Sequence, residues 1–135
     1  MNGESLTEPR LAVLAALQQG DAGVAYGIVL GLMGDGYALA TILDEVVAPI
    51  QQESGRRWQV GDYSISEEHV STTAAEVLLA TLAGAFDQPA DAPHLVVACA
   101  VGDQHTLPAR MAAALLLAEG YRTTFLGTSV PADDL

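Results

Sequence analysis

The apolar residues of the chain follow two different spacings. Through residues 7–85 they recur every three or four positions, as on the buried face of a helix. A first helix is predicted from Thr7, as its N-cap, to Gly20. A second is predicted from its N-cap, Asp21, to about Met33.

The third predicted helix spans residues 42–50 and contains Pro49. Proline has no backbone N–H, so the carbonyl of Glu45 should lose its partner and the helix should kink there. The residues that follow, 53–63, are polar and contain glycine. This composition predicts a loop with Trp58 at its middle.

The fourth predicted helix opens at Ser64. Its hydroxyl and the side chain of Glu67 have the spacing of a capping box, in which each side chain binds the other residue's backbone N–H. The apolar pattern continues to Leu82, and four helices joined by short connections predict a helical bundle. We expect its common core to include Leu14, Ile28, Val46 and Val77.

Three glycines, Gly23, Gly27 and Gly31, form a stripe along the second helix. Each lowers helix propensity by about 1 kcal/mol relative to alanine, so the stripe requires a compensating role. One interpretation is a close contact with a neighbouring helix. The other is a flat floor beneath a large ligand.

The second spacing begins after residues 86–93, a predicted linker with two prolines and two aspartates. Residues 94–100 form a short apolar run typical of a strand buried on both faces, and residues 123–126 form a second strand. Between them a loop leads to Pro108, the predicted first residue of a helix that ends at Gly120. This order predicts a parallel βαβ unit, and no G-x-G-x-x-G dinucleotide fingerprint follows the first strand.

The predicted fold class is therefore α/β. A four-helix bundle covers residues 1–88, and a βαβ unit covers residues 89–135. Because a two-strand sheet is marginal on its own, we expect further structure to complete it.

The chain is strongly acidic. Seventeen Asp and Glu residues against five Arg and no Lys give its 135 residues a net charge of −12, which opposes direct binding to nucleic acid or anionic membranes. Apolar runs are too short for a membrane-spanning helix, and residues 1–10 do not resemble a signal peptide, so a cytoplasmic protein is expected. The one cysteine, Cys99, excludes a disulfide framework, and we interpret Cys99 and His94 as structural.

The loop after the first strand contains Asp103 and His105. Ligands of open α/β sheets bind at the carboxyl ends of the strands. A neutral imidazole there can ligate a transition metal, and a carboxylate two residues away can hold its other ring N–H. One His and one Asp cannot form a protein-only metal site, but they suffice for a metal already held by a macrocycle. The alternative is an ordinary solvated loop.

A second candidate group consists of Trp58, Glu68 and His69. Glu68 and His69 fall in the first turns of the fourth helix, where the helix dipole favours a carboxylate and a neutral imidazole. With Trp58 folded over the same end, these side chains could clamp a flat heterocycle that carries a sugar hydroxyl. The alternative is a tryptophan that seals the bundle beside a helix start matched to its dipole.

The spacing Trp58-x9-Glu68-His69, followed after a linker by a strand and by Gly-Asp103-Gln-His105, resembles the light-sensing cobalamin-binding domains of CarH-type photoreceptors. In that family a four-helix bundle caps a Rossmann-like (flavodoxin-like) cobalamin domain, and the resemblance covers the bundle and the first half of that domain. It implies cobalamin as the cofactor, with adenosylcobalamin favoured. His105 would be the lower axial ligand of cobalt and Asp103 its supporting carboxylate. Trp58, Glu68 and His69 would line the pocket of the 5′-deoxyadenosyl group.

Several features depart from the pattern of that family. Gln59 stands where members carry a histidine that ligates cobalt after photolysis, and Pro108 stands where the wider cobalamin pattern has glycine. The chain also ends before the segments that enclose the nucleotide tail, so we expect a domain truncated at its C-terminus. The helix-turn-helix domain of gene-regulating members is absent, so we expect action through a protein partner.

The resemblance implies a sensor and not an enzyme. In the family, light breaks the cobalt–carbon bond, and the bundle then shifts and changes the oligomeric state. We therefore expect a homo-oligomer or a complex with a protein partner, linked to transcription regulation. One alternative is a corrinoid carrier subunit of a methyltransferase system, which shares the bundle, the Rossmann-like domain and the Asp-x-His loop. Another is an interaction module that binds no cofactor.

Overall fold

The computed structural model describes residues 5–135, which form a helical part and a small α/β part. The helical part contains α1 (Thr7–Gln18), α2 (Ala22–Gly34), α3 (Leu39–Ile42), α4 (Ala48–Gln59) and α5 (Ile65–Gly84). The α/β part contains β1 (His94–Ala98), α6 (Thr106–Ala118), β2 (Arg122–Gly127) and a short 3-10 turn at Ala132–Asp134. One compact unit ends at Leu78 and the other begins at Leu79, within α5, and the predicted domain boundary at residues 88 and 89 stays a prediction. No helix in the described part of the chain is long and apolar enough to cross a membrane.

The first two helices begin close to their predicted positions. Asp21 caps α2 as predicted, and its Oδ1 accepts the backbone N–H of Val24 at 2.9 Å. Thr7 is not the N-cap of α1, because Leu6 occupies that position and Thr7 is the first helical residue. The hydroxyl of Ser5 accepts the Thr7 N–H at 3.3 Å, so the side-chain oxygen at this helix start comes from Ser5.

The third helix of the bundle consists of α3, a π-helical turn at Leu43–Val47 and α4, which follow one another without a break. Pro49 lies in the first turn of α4 and provides no N–H for the carbonyl of Glu45. Arg10 of α1 supplies the donor, because its Nε donates to the Glu45 carbonyl oxygen at 2.6 Å. The predicted irregularity therefore takes the form of a wider helical turn, and the freed carbonyl is satisfied by the neighbouring helix.

The prediction of a loop at residues 53–63 is wrong, because α4 continues to Gln59 and carries Trp58 on its last turn. The buried positions of α4 are Ile50 and Ser54, four residues apart on one face. A serine in a core position leaves no apolar signal in the sequence. The helical spacing was therefore hidden after Ile50.

Ion pairs stabilise the polar end of α4. Glu53 accepts hydrogen bonds from Nε of Arg56 at 2.9 Å and from Nε of Arg57 at 2.8 Å, which are its i+3 and i+4 neighbours. The hydrogen bonds from these two guanidinium groups lower the pKa of Glu53 to about 2. Residues 53–59 thus have the composition of a loop but form a helix, and ion pairs between its side chains stabilise it.

The start of α5 confirms the predicted capping box. Ser64 donates its backbone N–H to Oε2 of Glu67 at 2.8 Å, and Glu67 donates its backbone N–H to Oγ of Ser64 at 3.2 Å. The Ser64 hydroxyl also donates to Oε2 of Glu67 at 2.8 Å. These bonds hold the pKa of Glu67 below its usual value, the backbone bond most strongly.

Small residues occupy much of the buried face of α5. Its buried positions are Ser71, Ala74, Ala75, Leu78, Leu79 and Leu82. Val77 has 49% of its surface exposed, so its predicted core position is wrong. Val46 is buried as predicted, while Leu14 and Ile28 are half-buried. Alanine and serine carry a weaker apolar signal than valine, and for this reason the pattern placed Val77 in the core together with Leu78 and Leu82, which are buried.

No neighbouring helix packs closely against the glycine stripe of α2 in the described part of the chain. A methyl group added at Gly27 or Gly31 would meet no atom of the described residues within 4 Å, and at Gly23 it would meet only the side chain of Asp21, at 3.5 Å. The close helix contact predicted for the stripe is therefore wrong within residues 5–135. The alternative, a floor beneath a ligand, stays a prediction.

The α/β part is the predicted parallel βαβ unit. β1 and β2 pair in parallel from His94 with Arg122 to Val97 with Phe125, and α6 packs against both strands. α6 begins two residues earlier than predicted, so Pro108 is its third residue rather than its first. Proline is tolerated there because the N–H groups of the first helical turn have no partner within the helix.

The strands are not buried on both faces, which corrects the sequence prediction. Leu95 and Val96 of β1 and Leu126 of β2 are exposed, and half of the surface of Val96 is open. β1 and β2 form a two-stranded sheet, and α6 packs on it as the crossover helix. The continuous apolar run at residues 94–100 led to the wrong prediction because such runs are typical of strands covered by helices on both faces.

Candidate functional site

Asp103 and His105 are brought together at the carboxyl end of β1. Oδ1 of Asp103 accepts the backbone N–H of His105 at 2.8 Å and lies 3.0 Å from Nδ1 of its ring. Gly102 precedes them with a φ of +86°, a conformation that favours glycine and turns the chain out of the strand. The two side chains therefore form the carboxylate–imidazole pair that their spacing predicts.

These hydrogen bonds determine which ring nitrogen of His105 carries the proton. The backbone N–H of His105, followed by its ring, lowers the pKa of Asp103, so the carboxylate is ionised at neutral pH and only accepts hydrogen bonds. Nδ1 of His105 is therefore the donor, and a neutral imidazole then presents its lone pair on Nε2. A metal-ligating histidine has this arrangement when a carboxylate supports it from the other ring nitrogen.

The imidazole of His105 is open to a ligand, with 90% of its side-chain surface exposed. Within the described residues, no group of three or more His, Cys, Asp or Glu side chains is arranged to hold a metal ion. One exposed imidazole does not make a zinc site. It fits a metal whose equatorial ligands come from a macrocycle.

The loop after β2 supports the loop that carries His105. Oγ of Ser129 accepts the backbone N–H of Gly102 at 3.1 Å, and Val130 donates its N–H to the carbonyl of Cys99 at 3.1 Å. Ser129 has a φ of +54°, which is uncommon for a residue with a side chain. Ser129 was not among the site residues predicted from the sequence. The available signal was that parallel strands end at the same edge of a sheet, so the loops that follow them meet.

His94 and Cys99 make contacts of a structural kind. Nε2 of His94 lies 2.8 Å from the hydroxyl of Thr124 on the paired strand. Cys99 is buried, and its Sγ donates to the carbonyl of His105 at 3.8 Å.

Trp58, Glu68 and His69 lie on the two helices that flank the turn between α4 and α5. Trp58 is on the last turn of α4 with 49% of its surface exposed, so an aromatic face is available there. Glu68 and His69 are in the first turns of α5, as predicted. A contact between Trp58 and the Glu68–His69 pair stays a prediction.

Glu68 is held by two neighbours on its own helix. Its Oε2 lies 2.6 Å from Nδ1 of His69, and its Oε1 accepts the hydroxyl of Thr72 at 2.6 Å. Partial burial raises the pKa of Glu68, but the hydrogen bonds from Thr72 and His69 outweigh it and leave the pKa below its usual value. His69 thus resembles His105, with a carboxylate at Nδ1 and an exposed ring.

A hydrogen-bond network that the sequence analysis missed holds the turn after Trp58. The hydroxyl oxygen of Tyr63 accepts hydrogen bonds from Gln18 of α1 and from Nη1 of Arg57, the latter at 3.1 Å. Arg57 also lies over the Tyr63 ring, 5.2 Å from its centroid. The turn is therefore tied to both α1 and α4.

A helical bundle followed by a parallel βαβ unit is the arrangement of the corrinoid-binding α/β fold. The solved structure of the Methanosarcina barkeri monomethylamine corrinoid protein has this fold, with a TM-score of 0.66 and 17% identity, over 96% of this chain and 62% of that chain. The family model described as the B12 binding domain matches residues 11–83, more than half of the chain. The chain belongs to this family and is a cobalamin-binding domain.

A curated relative is similar over much of the chain. The HTH-type transcriptional repressor CarH of Myxococcus xanthus is 35% identical over 92 residues. The aligned part is 68% of this chain and 30% of the repressor. The chain thus spans less than a third of that relative's length.

Proposed function

We propose that the chain is an adenosylcobalamin-binding, light-responsive sensor module and not an enzyme. The observation that carries the proposal is the Asp103–His105 pair, which leaves Nε2 of an exposed imidazole for a metal. The similarity to the CarH repressor supports the light-sensing part. When bound, adenosylcobalamin supplies a cobalt–carbon bond that light can break.

Each candidate residue then has a distinct role. His105 would hold the cobalt through Nε2, and Asp103 would hold its tautomer and raise its basicity as a ligand. Trp58 offers an exposed aromatic face on which adenine can stack. Glu68 offers an ionised carboxylate that can accept a ribose hydroxyl, with His69 beside it.

A change of assembly would follow from the way the bundle holds the adenosyl group. A protein that binds best with this group in place shifts towards another state when the group is gone, because the differential affinity for the first state is lost. We propose that the second state differs in its contacts with further copies of the chain or with a protein partner, and that transcription is regulated through it. The net charge of −12 opposes direct contact with nucleic acid.

The test is the dark absorption spectrum of the chain after incubation with adenosylcobalamin and removal of unbound cofactor. We expect a base-off, histidine-ligated spectrum for the wild type and loss of that ligation in His105→Ala. His94→Ala is the matched control, because His94 binds Thr124 at the opposite end of β1. Ligation that survives in His105→Ala, or that is lost equally in His94→Ala, would contradict the assignment.

A second candidate, a corrinoid carrier for methyl transfer, is favoured by the fold of the monomethylamine corrinoid protein. Trp58 separates the two functions, because its proposed contact is with the adenosyl group alone. Trp58→Ala should leave axial ligation intact and reduce the preference for adenosylcobalamin over methylcobalamin. Equal affinity of the wild-type chain for both cofactors, with no light-dependent change in size, would favour the carrier.

A further inference from the structure

The hydroxyl of Tyr63 connects three helices of the helical part. It accepts a hydrogen bond from the side-chain amide of Gln18, the last residue of α1, and another from Nη1 of Arg57, at 3.1 Å. Tyr63 itself lies in the turn between α4 and α5, directly before Ser64, whose side chain caps α5. The hydroxyl therefore connects the end of α1 and the last turns of α4 to the residue that precedes the start of α5.

The side chain of Arg57 is restrained by several contacts. Its Nε donates to Oε1 of Glu53 at 2.8 Å, and its Nη1 donates to the Tyr63 hydroxyl. The guanidinium also lies over the Tyr63 ring, 5.2 Å from the ring centroid. These contacts use different parts of the planar guanidinium, so together they fix its orientation. Arg57 therefore holds Tyr63 against the last turns of α4.

The backbone of this turn is closed by hydrogen bonds of its own. The carbonyl of Arg57 accepts the N–H groups of Asp62 at 2.8 Å and Tyr63 at 3.2 Å. The carbonyl of Trp58 accepts the N–H of Gly61 at 3.1 Å. Gly61 has a φ of +79°, the left-handed conformation in which glycine commonly ends a helix. Because Trp58 and Tyr63 belong to one closed turn, a restraint on Tyr63 acts on the helix end that carries the indole.

Trp58 is a side chain for which such a restraint matters. It lies on the last turn of α4 with 49% of its surface exposed, and the ends of helices fray. An aromatic ring whose position is fixed before a ligand arrives loses less freedom on binding than a mobile one does. A tie from this turn to α1 therefore favours a ligand that stacks on Trp58.

We propose that Tyr63 is a positioning residue for Trp58. Its hydroxyl holds the end of α4 in place before the cofactor arrives, and it thereby increases the selectivity of the chain for the adenosyl group. This inference rests on the proposed contact between Trp58 and that group. No contact between Tyr63 and the cofactor is invoked, since the hydroxyl acts through the turn.

Tyr63→Phe tests the restraint in the chain without cofactor. The variant keeps the ring beneath Arg57 and removes only the hydroxyl, so the fold should be preserved. Trp58 is the one tryptophan of the chain, so time-resolved tryptophan fluorescence anisotropy reports the nanosecond motion of its indole. We expect a larger fast-decaying component in Tyr63→Phe than in the wild type. Gln18→Leu removes one of the two hydrogen bonds and should give an intermediate value.

Tyr121→Phe is the matched control. Tyr121 lies in the α/β part, directly before β2, so the loss of its hydroxyl should leave the anisotropy of Trp58 as it is in the wild type. An equal increase of motion in Tyr63→Phe and Tyr121→Phe would overturn the assignment of the restraint to the Tyr63 hydroxyl.

The affinities for two cofactors test the link to selectivity. Tyr63→Phe should bind adenosylcobalamin about three- to tenfold more weakly than the wild type, the usual effect of having to immobilise one side chain on binding. Methylcobalamin carries no adenine for Trp58 to stack on, so it should bind both chains equally. The dark spectrum should keep the histidine ligation in both chains, because Tyr63 lies outside the loop of His105.

The possible outcomes separate the positioning role from the proposed function. Unchanged anisotropy in Tyr63→Phe would overturn the positioning role, whatever the cofactors do. Increased motion with equal losses of affinity for both cofactors would overturn the link to the adenosyl group. A wild-type chain that binds adenosylcobalamin no better than methylcobalamin would refute the proposed function itself, and the anisotropy would still decide whether Tyr63 restrains Trp58.

Discussion

One oxygen atom positions His105. Oδ1 of Asp103 binds both its backbone N–H, at 2.8 Å, and its ring, at 3.0 Å. The first bond places the residue in the loop, and the second sets the rotation and tautomer of the ring. Because both depend on the same carboxylate, Asp103 should control ligation although it does not itself touch the metal.

Asp103→Asn should therefore weaken cobalamin binding about 10- to 100-fold, the usual effect of removing a partner that supports a metal ligand. The reason is that a neutral amide holds the Nδ1 proton less strongly than an ionised carboxylate does. Titration of the chain with adenosylcobalamin in the dark measures the change. Asp91→Asn, at an exposed position before β1, is the control and should bind as the wild type does. Unchanged affinity in Asp103→Asn would show that the carboxylate does not support the ligand.

The Asp103–His105 pair was predictable because its geometry is local. The partners are two positions apart in sequence, and a loop after a strand brings them together without help from the rest of the fold. Ser129 and Gln18 could not be found in this way. Their partners, Gly102 and Tyr63, lie 27 and 45 residues away in sequence, and only the folded chain joins them.

Among the helices, the third one shows how an irregularity in one element is satisfied by another. Arg10 donates to the Glu45 carbonyl that Pro49 leaves without a backbone partner. Arg10→Ala should destabilise the chain by about 1 kcal/mol, as expected for one hydrogen bond. The effect should be smaller in a Pro49→Ala background, because an N–H restored at position 49 can serve the same carbonyl.

Urea denaturation of the wild type, the two single variants and the double variant measures this coupling as a double-mutant cycle. Strictly additive effects would show that Arg10 does not replace the donor that proline lacks. Arg122→Ala is a control, since it removes an arginine–carbonyl bond outside the bundle and should be insensitive to the residue at position 49.

The paired charges of α4 predict an acid-sensitive helix end. Arg56 and Arg57 lower the pKa of Glu53 from 4.5 to about 2 in the folded chain. A carboxyl with a lowered folded-state pKa adds stability above its unfolded value, and this contribution disappears as pH falls from about 4.5 towards 2. Glu53→Gln lacks the contribution at every pH. The difference in stability between wild type and variant, measured by unfolding at a series of pH values, should therefore shrink across that interval, and a constant difference would contradict this explanation.

The helices also show where apolar spacing is a sufficient guide. It located α1, α2 and α5 because leucine and valine mark much of their buried stripes, and it located the start of α5 through the capping box of Ser64. The apolar spacing did not predict α4 beyond Ile50, because Ser54 takes the next buried position. It also predicted Val77 to be buried, on a helix whose core face is rich in alanine. Both errors arise where small residues pack at helix contacts.

For the molecule as a whole, light should change the size of the cobalamin-bound chain. Size-exclusion chromatography with light scattering, on the adenosylcobalamin complex in the dark and after illumination, measures this directly. We expect two different masses for the wild type, because the bundle loses the group that favours its dark state. Trp58→Ala should show a reduced difference. Identical masses in the dark and the light would refute signalling through assembly.

The order of bundle and βαβ unit was predictable, since each has its own apolar spacing. The covering of the sheet was not. A run such as that of β1 indicates how much apolar surface a strand offers, and it does not indicate which element lies on it. Leu95, Val96 and Leu126 remain exposed in the described chain for this reason.

The π-helical turn at Leu43–Val47 determines the directions in which the side chains of α4 leave the helix axis. One extra residue in a turn rotates all later side chains by about 100° around the axis relative to an uninterrupted α-helix. The direction of the Trp58 indole is therefore decided more than two helical turns upstream, and not by its immediate neighbours. A one-residue deletion within the turn would leave every candidate residue in the chain and yet rotate a different side chain into the direction that Trp58 now takes.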